Sequence, residues 1–121
     1  MGADKSIVKA EMKQLFNDIN LLIKRDLTIN QVFYFASMIH LIFVQIHPFA
    51  DGNGRSARLI EKWFLSQKLG INAWFIQSER LYHKRLTSYY KNVHLGDQYD
   101  KVNYDYSIPF LLMLPMALRL S

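Results

Sequence analysis

Apolar residues recur every third or fourth position at the start of the chain. Ile7, Val8, Met12, Leu15, Phe16, Ile19, Leu22 and Ile23 form one helical stripe, with Lys9, Lys13, Asp18 and Lys24 left to solvent. Ser6 or Asp4 can cap this first helix, which is predicted to run to about Arg25. Thr28 caps a second helix through Ile46. Its stripe is Val32, Phe33, Phe35, Ala36, Ile39, Phe43 and Ile46, and further apolar neighbours predict burial on more than one side. Pro48 stops it, because proline disfavours helical angles in the preceding residue.

A third helix is predicted from about Arg55 to Lys68, with Leu59, Ile60, Trp63, Phe64 and Leu69 on its core side and Gly70 as its C-terminal cap. Ile71 to Gln77 is a connector, partly extended, with Trp74 and Phe75 packed. A fourth helix opens at Ser78 and Glu79 and runs to about Leu95, ended by Gly96. Its apolar face is Leu81, Tyr82, Leu86, Tyr89, Tyr90 and Val93. Asp97 to Asn103 is a polar loop. A last helix spans Tyr106 to Arg119, with Pro109 tolerable in its first turn and Pro115 expected to kink or break it. The pattern is all-α: a single bundle of about five helices, with no strand pairs and no repeat.

The loop between the second and third helices concentrates the chemistry: His47-Pro48-Phe49-Ala50-Asp51-Gly52-Asn53-Gly54-Arg55-Ser56-Ala57-Arg58. Gly52 and Gly54 accept backbone angles that other residues avoid, so a turn through Asn53 can aim successive N–H groups inward as an anion nest. A helix beginning at Gly54 or Arg55 adds the partial positive charge of its N-terminus. Arg55 and Arg58 fall on roughly one side of that helix, and their planar forks suit phosphate oxygens. Asp51 could hold Mg²⁺, which takes few protein carboxylates and shares phosphate oxygens. His47 ordinarily titrates near neutrality, which makes it the natural general base. Together these residues describe a nucleoside triphosphate site with a base beside it.

The same stretch resembles the signature of the Fic (filamentation induced by cAMP) domain family, H-x-F-x-D/E-G-N-G-R-x-x-R, at every fixed position. The resemblance extends with falling specificity over roughly Lys9 to Leu95. It implies a protein adenylyltransferase that moves AMP from ATP to a Ser, Thr or Tyr hydroxyl of a target protein. By that resemblance His47 is the base, Phe49 anchors the loop in the core, and Asp51 binds Mg²⁺. Gly52, Asn53 and Gly54 cradle phosphate, supported by Arg55, and Arg58 meets the terminal phosphate of ATP. Two alternatives stand beside it. Toxins resembling Doc (death on curing) share the fold and transfer the γ-phosphate, but usually carry Lys where this chain has Gly54. A non-catalytic nucleotide-binding or interaction module is the other.

Only about five residues precede the first helix, too few for the β-hairpin flap with which such domains clamp a target strand. No inhibitory S/T-x-x-x-E-G/N motif is present, so an inhibitory partner chain or segment is an expected regulator. The chain therefore reads as one domain or the core fragment of one.

Composition narrows the rest. Half of the 121 residues are hydrophobic, enough for a single core. With no cysteine there is no disulfide scaffold, which fits the cytoplasm. The net charge of +5 is scattered, which argues against a nucleic-acid partner. The most apolar stretch, Val32 to Ala50, carries Ser37, His40, Gln45 and His47 and reads as a buried helix rather than a membrane span. His40 reads as a hydrogen-bonded core histidine. His83 and His94, roughly 16 Å apart along a helix, cannot share a metal. Tyr82 reads as core rather than pocket.

Overall fold

The computed structural model describes residues 2–96 and 99–119. Three long helices come first: α1 (Lys5–Lys24), α2 (Ile29–Ile46) and α3 (Asn53–Leu69). Each has a local cause. The Asp4 carboxylate accepts from the Ser6 N–H at the start of α1. Its far end is closed from outside, by Lys68 Nζ donating to the carbonyls of Ile23 and Arg25. Thr28 and Gln31 form a reciprocal capping box at the start of α2, at 3.2 and 2.9 Å. Gly70, at φ 92°, takes the left-handed turn that ends α3.

The rest is built from shorter pieces. A 3₁₀ turn over Ile71–Phe75 leads to α4 (Ser78–Lys84) and α5 (Leu86–Val93). Short 3₁₀ turns follow, then α6 (Ile108–Leu111), α7 (Met113–Met116) and a final 3₁₀ turn over Ala117–Arg119. Among the described residues there is no β-strand. The chain is all-α, as its periodicity predicts.

Several expectations are corrected. The fourth helix is two helices, broken at Arg85 (φ −115°, ψ 46°) with no glycine or proline to announce the break. The last helix starts at Ile108 rather than Tyr106 and is broken, as expected of Pro115, with the break at Leu112. Pro115 lacks an N–H and its ring crowds the carbonyl four residues earlier, so the disruption falls upstream of the proline itself. The connector is 3₁₀ rather than extended. It buries Ala73 and leaves Trp74 and Phe75 exposed, Phe75 by 80%. Of the loop expected over 97–103, residues 97 and 98 lie outside the described residues.

α3 is rotated relative to its predicted stripe. Ala57, Glu61, Lys62, Phe64 and Leu65 are buried, whereas Leu59 and Trp63 face out beside the half-exposed Phe16 and Trp74. The buried set recurs at helical spacing, but it includes two charged residues.

Two cores share α2. One lies between α1, α2 and α3 and contains Leu15, Ile19, Phe33, Ile39, Phe43, Ala57 and Phe64. The other lies between α2 and the C-terminal pieces and contains Leu41, Leu81, Tyr82, Tyr89, Phe110 and Met113. α2 is long and apolar enough to cross a bilayer, yet more than half of it is buried inside the bundle, as a core helix between two layers must be. Ala57, wholly buried, lets α2 and α3 approach closely. That pair is the rigid frame from which the His47–Arg58 loop hangs.

Candidate active site

His47 caps α2 in the left-handed conformation (φ 54°, ψ 59°), its N–H donating to the Phe43 carbonyl at 3.0 Å. It is the one non-glycine residue with positive φ among the described residues. Such a conformation persists only where the surroundings over-determine it. Those surroundings include the N-terminal residues. The Ala3 N–H bonds the Ile46 carbonyl at 2.9 Å, and a Cβ on Gly2 would lie 2.4 Å from His47 Cβ. The His47 side chain is exposed.

The loop is held by an amide. The buried Asn53 side chain accepts from the Phe49 N–H at 3.0 Å and donates to the Phe49 carbonyl at 2.8 Å. This corrects the role expected of Phe49. Its ring is 53% exposed, and it approaches the core at Phe43, with ring centroids 6.2 Å apart. The anchor is the Phe49 main chain gripped by Asn53. The Asn53 side chain is correspondingly turned into the loop, so its share of any phosphate cradle is its N–H.

α3 begins at Asn53, before the predicted start, with Gly52 as its N-cap at φ 80° and no capping side chain. The Ser56 N–H bonds the Gly52 carbonyl. The N–H groups of Asn53, Gly54 and Arg55 are the first-turn donors that a helix cannot satisfy itself. With the helix dipole behind them they favour an anion. Only Gly52 uses a glycine's angles; Gly54 is helical. Its need is space, since a Cβ there would lie 3.1 Å from the Arg58 guanidinium and 3.7 Å from the Tyr89 hydroxyl.

Asp51 and Arg55 face each other at 3.6 Å on the open rim, both largely exposed, a geometry that contributes little stability. Arg58 is half-buried deeper in. An open cleft of about 440 Å³ is lined by His47, Ala50, Asp51, Gly52, Asn53, Gly54, Arg55, Arg58, Tyr89 and Tyr90. Every predicted site residue except Phe49 is therefore gathered on one cavity. A second, apolar groove of about 370 Å³ between α1 and α2 carries none of them.

Beneath the cleft lies a buried polar cluster. His40 Nδ1 is 3.0 Å from Glu61 Oε1 and its Nε2 is 2.8 Å from the Tyr89 hydroxyl. The Tyr82 hydroxyl donates to the same Glu61 oxygen at 2.9 Å. His40, Glu61, Tyr82 and Tyr89 are all buried, which bears out the structural reading of His40 and Tyr82. Burial pushes the Tyr89 hydroxyl up to about 12, while the nearby Arg58 guanidinium pulls it back down. Burial raises Tyr82 well above the usual tyrosine range, and Glu61 pushes the same way. Tyr89 and Tyr90 are the cleft residues that sequence reasoning missed. Their only signal is membership of an amphipathic tyrosine-rich face.

Mg²⁺ fits the donor set as a shared ion. Asp51 offers one exposed carboxylate beside free N–H groups, and no cluster of three or more His, Asp or Glu capable of an all-protein cage occurs among the described residues. His83 and His94 are exposed and take no part in the cleft.

One curated relative, protein adenylyltransferase Fic of Nematostella vectensis, is 49% identical over 45 residues. That match covers 37% of this chain and only 10% of the relative's length. No solved structure matches significantly. The Fic/DOC family model matches residues 3–65, which span α1, α2, the loop and most of α3. The chain belongs to the Fic/DOC family.

Proposed function

We propose that the chain transfers AMP from ATP to a Ser, Thr or Tyr hydroxyl of a target protein, with release of pyrophosphate. The observation that carries this reading is the convergence of a base, free helix N-terminal N–H groups and two arginines on one open cleft. In the proposed reaction His47 accepts the proton of the incoming hydroxyl. The hydroxyl oxygen then bonds to the α-phosphorus, and the bond to the bridging oxygen breaks to free pyrophosphate. The N–H groups of Asn53, Gly54 and Arg55 hold phosphate oxygens, and Arg58 pairs with the terminal phosphate. Asp51 would hold Mg²⁺, whose charge would offset that of the phosphates. Positioning and fixed charge would supply most of the acceleration.

The relative's name supports an adenylyl donor, and Gly54 fits that donor better than a γ-phosphate transfer. The ATP requirement and the absence of cysteine make the cytoplasm the proposed location. An inhibitory chain or segment acting on this cleft is part of the same proposal. Calorimetry with MgATP tests the site. Arg58→Glu is expected to weaken binding by about tenfold or more, whereas His47→Ala should change it by less than about threefold. Unchanged affinity in Arg58→Glu would contradict the assignment.

A further inference from the structure

Glu61 is a carboxylate with no access to water, and only one of its oxygens is used. Oε1 faces both His40 and Tyr82, and Oε2 has no partner. A buried charge so incompletely satisfied is a cost to the fold. It occupies a position on α3 where an apolar residue would pack more simply.

With Glu61 ionised and His40 neutral, the hydrogen bonds of this cluster have one self-consistent direction. Tyr82 O–H donates to Glu61, and His40 donates to the same carboxylate through Nδ1–H. His40 Nε2 is then an acceptor, so the hydroxyl proton of Tyr89 points at it. That leaves the lone pairs of the Tyr89 oxygen facing the other way, toward the cleft. Arg58 is there. Its guanidinium and the Tyr89 hydroxyl both lie against the bare face of Gly54, within 3.1 and 3.7 Å of where a Cβ would be. An arginine has donors only, so it needs such an acceptor. The opposite tautomer would aim an Nε2–H at the Tyr89 oxygen and turn a bare Nδ1 lone pair against the Glu61 carboxylate oxygen.

We propose that Tyr89 is a positioning residue for Arg58, with its acceptor face fixed by the buried His40–Glu61 pair. This rests on the nucleotide reading above. Tyr89 and that pair hold the guanidinium at the depth and angle at which it meets phosphate, before any ligand arrives. Glu61 thereby contributes a remote negative charge behind a cation that must stay in an open cleft. The glycine at position 54 belongs to the same device, because a side chain there would push the guanidinium off the hydroxyl.

Tyr89→Phe keeps the ring and removes the hydroxyl, and Tyr82→Phe does the same on the side of the cluster remote from Arg58. A merely structural role would make the two variants behave alike. MgATP affinity is expected to fall by about tenfold in Tyr89→Phe and by less than about twofold in Tyr82→Phe, both checked for intact folding by melting. In an Arg58→Ala background Tyr89→Phe should add less than about twofold, since its effect passes through the arginine. The Arg58 Nε–H signal should be slow to exchange in the wild type, and faster in Tyr89→Phe than in Tyr82→Phe. Equal effects of the two phenylalanine variants would overturn the proposal, as would an undiminished Tyr89→Phe effect in the Arg58→Ala background. If the wild type binds no ATP, the nucleotide reading fails, and the Arg58 exchange rates still decide the positioning claim.

Discussion

Residues 5–69 and residues 71–119 are built on different principles. The first stretch has three long helices, each closed by its own chemistry: Asp4, the Thr28–Gln31 box, Gly70. The second has short helices and 3₁₀ turns, several without a capping side chain. Segments so short are not stable alone and take their shape from what they pack against. The family match ends within α3, so it belongs to the first stretch. Yet the cleft is closed by Tyr89 and Tyr90 from the second. In the proposed reaction the N-terminal region supplies the reacting groups, and the C-terminal region supplies the wall and the acceptor that would hold them.

The contrast breaks most completely where the two regions meet. Glu61→Ala strands the buried hydrogen-bonding groups of His40 within the first region and of Tyr82 across the boundary. It should cost about 3–5 kcal/mol in denaturant unfolding. A loss below about 1 kcal/mol would mean that Glu61 adds little to the join between the regions.

A smaller effect comes from alkaline pH. The folded Tyr89 hydroxyl sits at about 12, above the ordinary 10 of an unfolded chain. Its contribution is therefore complete below pH 10 and is lost as pH rises toward 12. The loss should reach about 2–3 kcal/mol. Melting temperature against pH, with Tyr89→Phe as control, checks it: the variant should show the weaker alkaline fall.

Two further substitutions sharpen the account of the loop. Asn53→Ala removes both bonds to the Phe49 main chain and should cost about 1–2 kcal/mol. Phe49→Ala removes a half-exposed ring and should cost less than about 1 kcal/mol. The reverse order in thermal melts would restore the aromatic ring as the anchor.

The same contrast explains what was legible from sequence. α1 and α2 were readable because stripe and cap agree in both. The reacting loop was readable because its residues are contiguous and their chemistry is local. α3 was misread on one face. Glu61 and Lys62 look like solvent positions, yet Glu61 meets His40, and Lys62 meets Glu79 and the Ile76 carbonyl. Leu59 and Trp63 look like core, yet face out. Binary patterning cannot see a buried polar pair, because the partner that makes burial tolerable lies far away in the chain. The break at Arg85 and the arrival of Tyr89 under Arg58 are tertiary events of the same kind. Asn53 was placed in the right cleft for an incomplete reason: its amide grips the loop.

The central claim is that His47 and the arginine-lined cleft carry adenylyl transfer. It is tested most directly by incubating the protein and a cell lysate with MgATP labelled at either the α or the γ phosphate, with His47→Ala in parallel. Protein labelled from α-ATP alone, with at least about a hundredfold loss in His47→Ala, is the expected result. Label arriving from γ-ATP instead, or label that survives in His47→Ala, would contradict it.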